Sequence, residues 1–124
     1  MVDGSHHEPL PDPPATEDIE LTEVLAAMAD PNRLSMLRTL VDGAWHSCAP
    51  ENWGLGLQKS TVSHHLRTMR TAGLIEVRLR GRNKDARLRR DDIDSRFPGL
   101  LAGALGTDGT SSGDSPRGAS RDRR

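Results

Sequence analysis

A helical period that gives way to strict alternation at one glycine leaves few folds open to this chain. In residues 58–73, Val62, Leu66 and Met69 fall within about 60° of one another at 100° per residue. Ser60, Ser63, His64, Arg67 and Thr71 fall on the opposite side. Gly73 reads as the left-handed residue that ends a helix. Beyond it, residues 74–80 place Ile75, Val77 and Leu79 on one face of a strand. Gly81-Arg82-Asn83 supplies a turn, and Ala86 and Leu88 alternate on the way back, as in a β-hairpin. Its outer face and tip are predicted to carry Arg78, Arg80, Arg82, Lys84, Arg87 and Arg89.

Charge sharpens this pattern. Net charge is only −1, yet residues 1–30 hold eight acids and no Lys or Arg, while residues 58–90 hold ten bases against Glu76 and Asp85. A basic segment inside a folded stretch points to a polyanion-facing surface, most often nucleic acid; a solvated arginine-rich face paired with the acidic segment is the alternative. The polar side of helix 58–72 decides between them. Hydroxyls, an imidazole and one guanidinium replace the Glu/Lys mixture of an ordinary exposed helix, which is the composition of a helix that reads base edges and phosphates. The expected fold is therefore mainly α with a β-hairpin wing (α+β), a winged helix-turn-helix. The helix enters the major groove, and the wing lies on the backbone or in the minor groove.

The remaining segments fit that architecture. Thr16 or Thr22 is placed to cap a first helix with Leu21, Val24, Leu25 and Met28 at i, i+3, i+4, i+7. Asp30-Pro31 ends it and opens a second, with Leu34, Leu37, Leu40 and Val41 on one face and a stop at Gly43. Residues 44–57, with Pro50 and Gly54-Leu55-Gly56, leave room for a short helix around 49–53. The last segment, 91–105, has helical spacing that Pro98-Gly99 must break. Leu21, Val24, Leu25 and Met28 with Phe97, Leu100 and Leu101 are more apolar surface than so small a core uses, and are expected to form a homodimer interface through the first and last helices. Residues 1–16, Pro- and Asp-rich, read as an arm, 17–105 as the folded domain, and 106–124 as a Gly/Ser/Arg tail.

Composition excludes other classes. Aromatics are limited to Trp45, Trp53 and Phe97, too few for base-stacking RNA modules. No apolar run approaches the roughly 18–20 residues that cross a bilayer. No secretory signal opens the chain, and one cysteine gives no internal disulfide, so a cytoplasmic protein is expected. With no Gly-rich phosphate loop and no recognisable nucleophile–base pair, it is not expected to be an enzyme.

The run Leu25-Ala26-Ala27-Met28-Ala29-Asp30-Pro31-Asn32-Arg33-Leu34-Ser35-Met36-Leu37, with Ser60-Thr61-Val62-Ser63-His64-His65-Leu66 and Ala72-Gly73-Leu74-Ile75, resembles the ArsR/SmtB family of bacterial transcriptional repressors. The resemblance covers about residues 20–97. It implies a homodimer that binds a palindromic double-stranded DNA operator and releases it on binding an inducer, often a metal ion. Ser60, Thr61, Ser63, His64 and Arg67 match the recognition-helix positions, and Arg82 and Lys84 the wing tip. With Gln58, Lys59 and Arg78 these are the residues assigned to DNA.

The family's metal sites are incomplete here. In place of Cys-x-Cys stands Trp45-His46-Ser47-Cys48, and although Asp92 and Asp94 are present, no histidine follows residue 65. His46 and Cys48 offer two ligands for zinc, nickel or copper, unless the cysteine is simply buried. His6 and His7 on the arm offer a nickel or zinc alternative by reaching Asp92 or Asp94. His64 and His65 point about 100° apart and do not share a metal; His65, at the edge of the apolar arc, is expected to hold a backbone carbonyl or a partner side chain. These remnants leave a second reading, a metal- or partner-protein-dependent sensor with weak DNA affinity of its own.

Overall fold

A computed structural model describes residues 13–106. Among them are five α-helices and a three-stranded antiparallel sheet. Helix α1 (Leu21–Met28) starts after Glu20 with no side-chain cap, so neither Thr16 nor Thr22 caps it. Thr16 instead opens a 3-10 turn (Thr16–Asp18), and its hydroxyl donates to Asp92 Oδ1 at 2.8 Å. Helix α2 (Pro31–Thr39) begins as expected: the Asp30 carboxylate accepts from the Arg33 backbone N–H at 3.0 Å, and Pro31 occupies the first turn. It closes through a 3-10 turn (Leu40–Asp42) at Gly43.

Residues 44–57 hold a strand that the sequence did not announce. β1 (His46–Ser47) pairs with the strand Asn83–Leu88, placing His46 opposite Ala86 and Ser47 opposite Asp85. A 3-10 turn (Pro50–Trp53) follows where a short helix was expected. Helix α3 (Lys59–Ala72) ends at Gly73, and β2 (Ile75–Arg80) and β3 (Asn83–Leu88) form the hairpin, in sheet order β1-β3-β2. Pro98-Gly99 divides the last segment into α4 (Arg90–Arg96) and α5 (Leu100–Leu105).

One core joins these elements. Val24, Met36, Leu37, Leu40, Met69, Leu74, Ile75 and Ile93 are fully buried, and α1 packs on α3. That packing divides the apolar stripe of α1. Val24 and Met28 are spent on the chain's own core, as is Leu101 on α5. The stripe offset by one helical position stays open, with Leu21 43% and Leu25 45% exposed. Phe97 and Leu100 are half-buried. Of the seven residues expected at a dimer interface, Val24, Met28 and Leu101 are thus withdrawn.

Part of the expected arm is also held. The Pro14 carbonyl accepts from Arg89 Nη1 at 2.7 Å, and the Thr16 carbonyl accepts from Arg96 Nη1 at 2.8 Å. His6 and His7 lie outside the described residues.

Gly73 is required twice over. Its φ of +92° is in the left-handed region, and a Cβ there would stand 2.8 Å from Ile19 Cγ1 and 3.2 Å from Pro14 Cγ. Gly73→Ala is expected to lower stability by about 1–3 kcal/mol, read as a shifted urea midpoint. A midpoint unchanged from wild type would show that the α3–β2 corner tolerates a side chain.

Candidate nucleic-acid interface

Helix α3 turns Val62, Leu66 and Met69 inward and leaves Lys59, Ser60, Ser63, His64, Arg67 and Thr71 exposed. Gln58, its N-cap, is exposed as well, and Thr61 is half-buried. The hydroxyl, imidazole and guanidinium side thus faces solvent. His65 does not join it. It is buried, and its Nδ1 stands 3.0 Å from Arg33 Nη1. A guanidinium only donates, so Nδ1 accepts and the ring proton sits on Nε2. Burial holds the His65 pKa below its ordinary value, helped by the charges of Arg33 and His64 and opposed by Asp30. Arg33 Nε also donates to the Ala27 carbonyl at 2.6 Å. One side chain therefore ties α3 to the α1–α2 corner. Of the two partners expected for His65, a backbone carbonyl or a side chain, the structure has a side chain, that of Arg33, 32 residues away.

The wing has two unlike faces. Residues opposite one another across an antiparallel pair share a face, so the β2/β3 register sets Ile75 with Leu88, Val77 with Ala86 and Leu79 with Lys84 on one side. The other side carries Glu76 with Arg87, Arg78 with Asp85 and Arg80 with Asn83. There the cations are engaged. Arg78 Nε donates to Asp85 Oδ2 at 3.0 Å, and Arg80 reaches both Asp85 oxygens at 2.8 and 3.1 Å. Arg87 Nη2 donates to Glu76 at 2.8 Å. Two guanidiniums stand over the ring of Trp45, that of Arg78 at 4.3 Å and that of Arg87 at 4.4 Å from its centroid.

Arg78, assigned from sequence to DNA, is therefore a member of this lattice, although its side chain stays partly exposed. Arg89, expected on the outer face, is buried, with its Nε 2.9 Å from Asp92 Oδ2. Arg70, counted with the basic surface, is buried too. Arg82 and Lys84 remain exposed at the wing tip.

The hydrogen bonds from Arg80 and Arg78, outweighing burial, hold the Asp85 carboxyl at about 2, against an ordinary 3.8. A carboxyl with a lowered folded pKa contributes stability in full above the unfolded value and loses it as pH falls toward the folded one. The gap in melting temperature between wild type and Asp85→Asn is thus expected to hold at neutral pH and to close as pH falls from 3.8 toward about 2. A gap independent of pH across that window would remove the charge-based account of the wing.

The metal candidates are dispersed. His46 Nε2 lies 2.9 Å from Asp42 Oδ1. The Cys48 thiol is pushed up to about 11, mainly by burial and further by Asp85, so it keeps its proton at neutral pH. Asp92 is taken by Thr16 and Arg89, and Asp94 stands 3.7 Å from Arg90. Among the described residues no three His, Cys, Asp or Glu side chains cluster to hold a metal ion.

Between α3, the wing and the 3-10 turn lies a cleft of about 510 Å³, lined in part by Lys59, Val62, Ser63, Arg67, Val77 and Arg82. Five of the ten DNA-assigned residues, Lys59, Ser63 and Arg67 on the helix and Arg82 and Lys84 on the wing, border this groove, while Gln58, Ser60, Thr61, His64 and Arg78 do not.

Known proteins share this arrangement. Residues 54–77 match the model for bacterial regulatory proteins of the arsR family. The chain is 34% identical over 87 residues to a protein of Bacillus subtilis (strain 168) described as "Uncharacterized HTH-type transcriptional regulator YceK", covering 69% of this chain and 87% of that one. Among solved structures, HlyU from Vibrio cholerae N16961 is similar with a TM-score of 0.56 and 27% identity, over 69% of this chain and 91% of that chain. NolR from Sinorhizobium fredii is similar with a TM-score of 0.53 and 26% identity, over 78% of this chain and 99% of that chain.

Proposed function

The chain belongs to the ArsR family of bacterial transcriptional regulators, and we propose that it represses transcription in the cytoplasm by binding a palindromic operator as a homodimer. The observation that carries this reading is the exposed polar side of α3 beside a wing tip bearing Arg82 and Lys84. Helix α3 enters the major groove, where Ser63, His64 and Arg67 meet base edges and phosphates. Lys59, Arg82 and Lys84 neutralise the backbone on either side. A single unit of this size seldom binds a specific site tightly, and Leu21 and Leu25 on α1, with Leu100 and Phe97 from the C-terminal helices, supply the apolar face for a second copy.

Genomic fragments captured by the pure chain and sequenced are expected to share two half-sites of twofold symmetry, about one helical turn apart. Leu21→Glu combined with Leu25→Glu changes only exposed positions, and is expected to yield monomers in the ultracentrifuge that bind the operator at least about tenfold more weakly. Asymmetric sites, or a monomeric variant that binds as tightly as wild type, would overturn the dimer-on-palindrome reading.

A further inference from the structure

The cleft between α3 and the wing is lined by apolar as well as charged side chains. Its volume, about 510 Å³, is that of a small-molecule site. Val77 from β2 with Cys48, Ala49 and Pro50, all half-buried, give it an apolar floor, to which the buried Val62 and Leu66 of α3 add only their edges. The rim is cationic, with Lys59 and Arg67 on the helix and Arg82 and Lys84 on the wing. Among the described residues that line it, Glu51 is the one carboxylate. A phosphodiester strand crossing here uses the rim and leaves the floor bare.

We infer that this cleft binds a small organic carboxylate with an apolar body of about eight carbons, and that the bound acid competes with DNA. The apolar body covers the floor, as in most ligand sites, where few placed polar groups fix a largely apolar surface. The carboxylate meets guanidinium and ammonium donors in charge-assisted hydrogen bonds. Those donors are the ones assigned to phosphates, so a carboxylate held by them withdraws them from the DNA backbone. The competition rests on the operator reading above; the binding does not.

Octanoate is the probe, with octan-1-ol as its neutral counterpart and acetate as the same charge without the body. Calorimetry on the full chain without DNA is expected to show one saturable octanoate site per chain, at least about tenfold tighter than either control. Ala49 lines the cleft and lies outside the DNA-assigned set. Ala49→Phe fills the space and is expected to weaken octanoate by about tenfold or more while moving operator affinity by less than about threefold. Glu51→Gln, at an exposed position, removes the opposing charge and is expected to tighten octanoate by about threefold, which keeps the test alive if Ala49→Phe folds poorly. Saturating octanoate is expected to weaken operator binding by wild type about tenfold.

Octanol binding as tightly as octanoate, no saturable site, or a stable Ala49→Phe that binds octanoate like wild type would each overturn the site. Saturation by octanoate with unchanged operator affinity would overturn the competition. A chain that captures no DNA at all would sink the operator reading, while the calorimetry still decides the cleft.

Discussion

Arg82→Ala combined with Lys84→Ala is expected to weaken binding to operator and to unrelated DNA alike, by at least about 50-fold near 0.1 M salt and far less near 1 M. The reasoning is counterion release. Each phosphate neutralised contributes about 0.9 to the slope of log affinity against log salt, so losing two per chain, four in the dimer, lowers that slope by about 3.6. Both side chains are exposed at the wing tip, so the change costs the fold little. Ser63→Ala and His64→Ala should behave differently. Exposed on the reading side of α3, they are expected to change the preferred base at one position by about 1–3 kcal/mol and leave the salt slope alone. Arg78 separates the two kinds of effect. Its guanidinium is held by Asp85 and stacked on Trp45, so Arg78→Ala is expected to loosen the wing with a smaller slope change than Arg82→Ala. Gel-shift titrations at several salt concentrations read all of these. An Arg82→Ala slope equal to wild type, or an Arg78→Ala slope as flat as that of Arg82→Ala, would show that the wing cations have been assigned wrongly.

That contrast marks how far residue order alone reaches. Helix α3 and the hairpin were legible because each obeys its own period and glycine separates them. The inward set Val62, Leu66 and Met69 followed directly. What escaped depends on contacts between segments. Two residues of β1 carry no period, so its pairing with β3 is set by the partner strand. The engagement of Arg78 and Arg80 by Asp85 needs the cross-strand register, although an Arg-x-Arg on one strand with an Asp on the return was a usable sign. The stripe on α1 looked like one face; packing against α3 divides it, taking Val24 and Met28 and leaving Leu21 and Leu25. The residues first considered as metal ligands were judged by spacing, and spacing says nothing about Asp42 beside His46 or Thr16 beside Asp92.

Arg33→Ala is expected to have the largest effect on stability, a loss of about 2–4 kcal/mol, because it strands two partners at once. The Ala27 carbonyl loses its 2.6 Å donor, and the buried His65 Nδ1 loses its 3.0 Å donor. For a domain of this size that corresponds to a melting point lower by about 10–20 °C. The N-cap survives, since Asp30 accepts from the backbone N–H of residue 33. Arg33→Lys should recover less than half the loss, because one ammonium does not span both acceptors as the guanidinium fork does. A double-mutant cycle with His65→Ala is expected to show coupling of about 1 kcal/mol or more. Acidity acts through the same contact. His65 titrates below its ordinary 6.5 in the folded chain, so the unfolded chain binds the proton first. Stability is then complete above pH 6.5 and falls as pH drops from there toward the lowered folded value. His65→Gln should flatten that fall, and so should Arg33→Ala, which removes a positive charge from beside the ring. Chemical denaturation between neutral pH and about pH 5 measures both. If Arg33→Ala matched wild type within about 0.5 kcal/mol, α3 would be held by apolar packing alone and the tie to the α1–α2 corner would have no energetic meaning.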